Sequence, residues 1–196
     1  MTFHILTVCT GNLCRSPLAA GLFNTGLDPA RFTSTSVGTF ALVGDTMPEQ
    51  AQMVAVRMGY MTAADHRATA LTKAAVSQAD LILGMELNHR RAAAQLQPTA
   101  VRRAFTLLEF AHIVGHIQDA QLAGMRNGND NPAVGAAQIV MRMRGVVPRL
   151  GAERLYEVED PYGRSTQVYE RSFKQVQQAV SDIGDYFSRA ARVMQP

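Results

Sequence analysis

The sequence predicts an α/β protein, a four-stranded parallel sheet with helices on both faces. Three observations predict it. Short apolar runs rich in β formers alternate with stretches of helical period along most of the chain. Glycine, proline and serine stand at the joints, where strands and helices exchange. Finally, one long amphipathic stripe near the end can cover a sheet face. The 196 residues, 47% hydrophobic and 18% charged, suffice for one packed domain over 1–196 and exclude global disorder.

The first element rests on Phe3, Ile5, Leu6 and Val8, a nearly continuous apolar run of the kind that forms a buried strand. A loop follows over residues 9–15. Ser16 as N-cap and Pro17 at the first helical position then predict a helix through Leu18, Leu22 and Phe23. Residues 31–37 alternate as a second strand that Gly38 ends, and 46–58 and 71–78 read as helices. The apolar run 79–85 is a third strand. A helix over 86–96 stops before Pro98, 101–105 is a fourth strand, and 107–117 is a further helix. In 172–193, Phe173, Val176, Val180, Ile183, Phe187 and Ala190 are spaced 3, 4, 3, 4 and 3, one stripe of a helix. Strands alternating with helices imply a parallel sheet, whose ligands bind outside the carboxyl ends of its strands.

Residues 118–159 fit this rhythm least well. A turn-rich break at 126–131 precedes a helical pattern over 132–144 with Val134, Ile139, Val140 and Met143 on one side. With too few large apolar residues for its own core, the stretch at about 118–156 reads as an inserted arm, not a second domain. Its position before 160 predicts that 127–145 pack beside the mouth of the site.

A net charge of +3 is too small and too scattered to argue for a nucleic-acid partner. No apolar run approaches the roughly 18–20 residues of a membrane span, so no membrane partner is expected either. The N-terminus lacks a basic region followed by a long apolar one, so no signal peptide is expected. Two cysteines, Cys9 and Cys14, cannot build a disulfide framework, and the chain reads as a cytoplasmic protein with free thiols.

The chemistry lies in Cys9-Thr10-Gly11-Asn12-Leu13-Cys14-Arg15-Ser16-Pro17. Successive backbone N–H groups in such a strand–loop–helix joint converge on a concavity that binds anions. The helix start adds unpaired N–H groups and a positive dipole end. Arg15 closes the loop and can grip two phosphate oxygens. Gly11 and Asn12 tolerate the left-handed backbone a curling loop requires. Thr10, Gly11, Asn12, Leu13, Cys14, Arg15 and Ser16 are thus the phosphate-binding residues. Cys9, at the loop's opening, sits where the surroundings favour a thiolate, a nucleophile facing phosphorus. Ser16 is placed to hydrogen-bond the sulfur. Cys14, on the same curled loop, either captures an oxidised Cys9 as a reversible disulfide or simply packs the loop.

This loop closely resembles the signature of the low-molecular-weight protein tyrosine phosphatases, Cys-x5-Arg-Ser with Gly-Asn inside. The likeness extends to Ser36-Val37-Gly38-Thr39, His66-Arg67-Ala68, 79–85 with His89-Arg90, and Phe105 to Ala111. It covers nearly all of the chain except about 118–156. It implies the fold of that family and metal-free hydrolysis of phosphate monoesters without a cofactor. The substrate is then a phosphorylated protein, most simply phosphotyrosine, or a small aryl phosphate. Glu159-Asp160-Pro161-Tyr162-Gly163 looks like the family's Asp-Pro-aromatic loop, which makes Asp160 the proton donor and Tyr162 a wall of the substrate slot. The catalytic set is then Cys9, Arg15 and Asp160, acting through a phosphocysteine, and Leu13, Phe40 and Tyr162 are the walls. The family's aromatic position after Gly38-Thr39 falls on Phe40 or Leu42, one residue out of step. By the same resemblance, His66 braces the loop from behind.

Other clusters are weaker. Glu109, His112 and His116 lie on one helix face, too few for a metal, and read as a solvated face. Met47, Met53, Met58 and Met61 read as core filler. Arg142, Arg144, Arg149 and Arg154 read as a solvated face of the arm, with steering of anions the sharper reading. Two competing functions remain. An arsenate reductase shares the loop, but thioredoxin coupling needs cysteines after Cys14 and none exists, which leaves coupling to a small thiol. A non-catalytic phospho-residue binder needs neither the thiol nor the acid.

Overall fold

A computed structural model describes residues 1–124 and 131–194. Strands β1 (Phe3–Cys9), β2 (Phe32–Gly38), β3 (Leu81–Gly84) and β4 (Ala104–Thr106) form one sheet in the order β2-β1-β3-β4. Every pairing is parallel, so all four carboxyl ends share one edge. The α/β architecture inferred from the alternation of apolar runs is the architecture observed.

Side-chain alternation along the strands divides the core into two layers. Leu6, Val8 and Ile82 face one side and pack with Val76 of α3 (Lys73–Gln78) and Ala93 of α4 (Leu87–Leu96). Ile5, Cys9, Leu81 and Leu83 face the other. There they meet α1 (Arg15–Gly26), α5 (Leu107–Val114) and α8 (Thr166–Val193). The shorter α2 (Glu49–Arg57) packs against α8 beside them. All six residues of the C-terminal stripe are buried. Each large one contributes roughly 1.5–3 kcal/mol of transfer free energy. The helix starts earlier than the stripe suggested, at Thr166, because Tyr169 extends the buried face by one more turn.

Two boundaries and the burial of the methionines differ from the sequence reading for physical reasons. Residues Pro98–Arg102 form a 3-10 turn and β4 begins only at Ala104, with Val101 in solvent. Proline initiates the turn, and the Arg102-Arg103 pair cannot enter a dry interior. Helix α1 begins at Arg15 with Cys14 as N-cap residue, so Ser16 lies inside the first turn and caps nothing. Of the four methionines read as core filler, only Met47 is fully buried. Met58 is half-buried, and Met53 and Met61 stand in solvent.

The described part of the arm joins the main core and sits away from the mouth of the site. Helices α6 (Asp119–Ala123) and α7 (Pro132–Met143) pack on α8, and Ala133, Ala136, Ile139 and Val140 are buried. Tyr186 Oη of α8 donates to the Ala136 carbonyl at 2.9 Å. Asn131 caps α7 by accepting from the Ala133 N–H. Its Nδ2 donates to the carbonyls of Met1 (3.1 Å) and Arg31 (2.9 Å), at the amino ends of β1 and β2. The arm therefore reaches the edge opposite Cys9, and the expected lid over 127–145 does not form from residues 131–145. Residues 127–130 lie outside the described residues. No helix among the described residues is long and apolar enough to cross a membrane.

Candidate active site

Strand β1 delivers Cys9 to the carboxyl edge of the sheet, and the chain then curls through 10–14 into α1. Of the two residues suited to left-handed backbone, Asn12 adopts it, with φ of 56°. Its buried side chain holds the curl. Oδ1 accepts from the Thr69 N–H at 2.8 Å, and Nδ2 donates to Ser16 Oγ at 3.0 Å and Ser36 Oγ at 2.9 Å. His66 Nε2 donates to the Asn12 carbonyl at 2.7 Å, the brace expected for it. Burial holds the His66 imidazole below its ordinary pKa, which keeps it neutral. Gly38 presses against the loop so closely that a Cβ there would lie 2.6 Å from the Thr10 carbonyl oxygen. From the segment after Gly38, the N–H groups of Thr39 and Phe40 donate to the Cys9 and Thr10 carbonyls.

Two donors aim at the Cys9 sulfur, the Asn12 N–H at 3.2 Å and the Ser16 hydroxyl at 3.0 Å. Both stabilise negative charge on sulfur. Because Ser16 is not spent on capping, its hydroxyl is available for this task.

Arg15 is 2% exposed and needs partners to be buried at all. It pairs with Glu86, donates to the Val158 carbonyl at 3.0 Å, and meets Asp160 at 2.8 Å. The loop arginine and the downstream aspartate, 145 positions apart in sequence, are thus in contact. Glu86 was missed by sequence reasoning. Its signal was a carboxylate just beyond the carboxyl end of β3, level with the loop. His89 was also missed as a site residue. Its Nδ1 accepts from the Glu86 N–H at 3.0 Å, so the proton sits on Nε2, which donates to Thr10 Oγ1 at 3.0 Å. Burial pushes His89 down to about 4, and it stays neutral at physiological pH.

Cys9, Thr10 and Arg15 form the floor of a cavity of about 240 Å³. Leu13, Phe40, Leu42 and Tyr162 wall it, and Asp160 stands among them. Phe40 and Leu42, alternatives in the sequence, both line it. Phe40 is 81% exposed and Tyr162 57%, two rings held in water on either side of an opening. The Tyr162 N–H donates to Asp160 Oδ1 at 3.2 Å, which orients the carboxylate.

Cys14 is buried beside the cavity, its sulfur 4.0 Å from Tyr169 Oη. Both cysteines are free. Burial first, and then the neighbouring Cys9, push the Cys14 thiol up to about 12. Below that value its thiolate fraction rises about tenfold per pH unit. If Cys14 attacks a peroxide-generated sulfenic acid on Cys9, water leaves as the S–S bond forms. Activity regained with dithiothreitol after peroxide is then expected to be greater at pH 9 than at pH 7. Cys14→Ser should regain almost none. Recovery equal in both proteins and flat with pH would assign Cys14 to packing alone.

The remaining clusters are structural. Glu109 is held between Arg90 and Arg144 and completes the cap of α5 on Thr106. His112 donates from Nε2 to the Pro148 carbonyl. Among the described residues no group of histidine, cysteine or carboxylate side chains could hold a metal ion. Arg144 stacks its guanidinium 3.5 Å over the Phe105 ring, so it is not part of a solvated face.

Comparison with known proteins agrees with this geometry. Residues 4–127 match the family model of low molecular weight phosphotyrosine protein phosphatases. Low molecular weight protein-tyrosine phosphatase A of Mycobacterium tuberculosis is 30% identical over 189 residues, covering 93% of this chain and 90% of the relative. A protein-arginine-phosphatase of Geobacillus stearothermophilus is 36% identical over 110 residues, covering 56% of this chain and 72% of the relative. The crystal structure of a low molecular weight protein tyrosine phosphatase from T. tengcongensis superposes with a TM-score of 0.65 at 26% identity, covering 93% of this chain and 97% of that one. With the loop, the sheet and the relatives in agreement, the chain belongs to the low-molecular-weight protein-tyrosine-phosphatase family, a family of phosphoric monoester hydrolases.

Proposed function

We propose that this chain hydrolyses protein phosphotyrosine through a phosphocysteine on Cys9. The observation that carries the choice of substrate is the apolar slot above the loop, walled by Leu13, Phe40, Leu42 and Tyr162. A phenyl ring buried there gains roughly 1.5–3 kcal/mol, whereas the single methylene of phosphoserine offers about 0.8 kcal/mol. The shorter side chain also fails to carry its phosphoryl group to the floor. A phosphoguanidinium brings several N–H groups that the four walls leave unanswered, at a desolvation cost of about 1–3 kcal/mol each. Against this stands Asp160, which could accept from a guanidinium, and one relative is named for phosphoarginine.

In the first step the Cys9 thiolate attacks phosphorus in line with the departing oxygen. The S–P bond forms, the P–O bond breaks, and protonated Asp160 gives its proton to the leaving oxygen, releasing a phenol. Loop N–H groups and Arg15 hold the equatorial oxygens. In the second step the Asp160 carboxylate takes a proton from water, whose oxygen attacks phosphorus. The thiolate leaves onto the Asn12 and Ser16 donors and inorganic phosphate departs. No metal or cofactor enters either step.

The reading is tested by phosphate release from matched peptides bearing phosphotyrosine, phosphoserine or phosphoarginine, with arsenate and a small thiol as a fourth arm. We expect kcat/KM for phosphotyrosine to exceed the others by at least about tenfold, the equivalent of ~1.4 kcal/mol. A preference for phosphoarginine, or arsenate reduction faster than hydrolysis, would overturn it. Binding of all three phosphopeptides without release would make the chain a reader of phosphorylated residues.

A further inference from the structure

A second cavity, of about 530 Å³, opens between α4, α5 and the segment 144–156. The segment 144–156 of the arm, beyond the family match that ends at residue 127, supplies more than half of its lining. Ile113, Val147 and Tyr156 contribute apolar surface. The polar groups are lopsided: four guanidinium groups, Arg90, Arg91, Arg144 and Arg149, against two carboxylates, Glu109 and Glu153. Glu109 is already answered twice, by Arg90 at 3.3 Å and Arg144 at 2.9 Å, and also accepts from the Thr106 N–H. Among the described residues Arg91 donates only to the neutral side-chain oxygen Asn88 Oδ1, at 3.1 Å. Arg149 makes no hydrogen bond or ion pair with any described residue, and Glu153 stays exposed without an ion pair among them. His112 is turned to the Pro148 carbonyl and adds no negative charge.

Arg90 and Arg144 serve the fold through Glu109, but adding Arg91 and Arg149 to the same concavity gains nothing for it, because like charges repel there. Low-dielectric walls focus their field and raise the local concentration of anions. Arginine forks, more than lysine, match tetrahedral oxyanions bidentately. The cavity has more than twice the volume of the catalytic one, room for more than a single phosphoryl group.

We infer that this cavity is a second anion site, in which Arg91 and Arg149 bind a phosphoryl-bearing polyanion at a place distinct from the Cys9 loop. That polyanion is either a free polyphosphate such as a nucleotide tail or a further phosphoryl group on the same protein substrate. The two sites share α4. Glu86 at its N-cap grips Arg15, and Arg90, one turn later, lines the second cavity. The inference does not rest on the phosphotyrosine reading, because its binding test is run with the Cys9 loop filled.

The full-length enzyme, with one equivalent of orthovanadate in the loop, is titrated with inorganic tripolyphosphate by calorimetry. One binding event is expected, weakened at least about tenfold in Arg91→Gln/Arg149→Gln. That variant should keep its melting temperature and its hydrolysis of a small aryl phosphate, since neither arginine belongs to the catalytic loop. Arg91→Lys/Arg149→Lys, which keeps charge but loses the forks, should fall between the two. Displacement of tripolyphosphate by ATP identifies a free polyanion, and displacement only by a doubly phosphorylated peptide identifies the substrate itself. No event in the vanadate-filled wild type, equal affinity in the glutamine variant, or displacement by neither competitor would overturn the inference.

Discussion

Cys9→Ser is expected to lower phosphate release by about 10⁴-fold or more, an increase of at least ~5.5 kcal/mol in the barrier. Phosphate should meanwhile bind within a few-fold of wild type. The serine oxygen would take the place of a sulfur that already accepts from the Asn12 N–H and the Ser16 hydroxyl, so the loop keeps its shape. What disappears is the sulfur, because a serine hydroxyl is a far weaker nucleophile toward phosphorus and a poorer leaving group from it. Arg15 and the loop N–H groups, which hold the anion, are untouched. Stopped-time phosphate assays beside calorimetric titration with phosphate check both halves. Turnover within about tenfold of wild type would remove the covalent route.

The second large effect is expected at Asp160. Asp160→Asn should slow phenyl phosphate by about 10²–10⁴-fold, the usual weight of a general acid. The loss should be much smaller for p-nitrophenyl phosphate, whose leaving group departs unprotonated. The ion pair with Arg15 at 2.8 Å makes this comparison sharper than a single rate. If Asp160 serves mainly to anchor the guanidinium, the asparagine variant binds phosphate differently and loses rate equally for both esters. A loss graded by leaving-group basicity belongs only to a proton donor. A plot of log kcat/KM against leaving-group pKa, flat in the wild type and steep in the variant, is the expected result.

The two halves of the site were unequally legible. The Cys9 loop was open to direct reading because its parts are contiguous. A strand end, a residue fit for positive φ, an arginine and a helix start fall within nine residues, and each has a local physical signature. Asp160 had no such signature. Asp-Pro-Tyr-Gly is an ordinary turn, and only the family resemblance pointed to it. Glu86 and His89 escaped for a related reason. Their partners Arg15 and Thr10 lie 71 and 79 positions away and become neighbours only through the parallel crossover from β1 to β3. The arm was misplaced because adjacency in sequence to Asp160 was taken for adjacency in space. Asn131 instead binds two carbonyls at the far edge of the sheet, a tie that no periodicity announces. Local pattern reports elements, whereas long-range hydrogen bonds decide which end of the sheet an element serves.

The anchoring of Arg15 to the carbonyl of Val158, 143 positions downstream, and to Asp160 just beyond it also sets a clock on biosynthesis. Cys9 leaves the ribosome about 150 residues before Val158 and Asp160, which hold its arginine from the other side. At roughly 5–20 residues per second, the interval is on the order of ten seconds. During that time the nascent chain carries the Cys9 thiol without Val158 and Asp160, so on the proposed mechanism a half-made copy does not turn over. A prematurely terminated product that stops before Val158 would be similarly inert on that mechanism, its Arg15 keeping Glu86 but losing the Val158 carbonyl and Asp160.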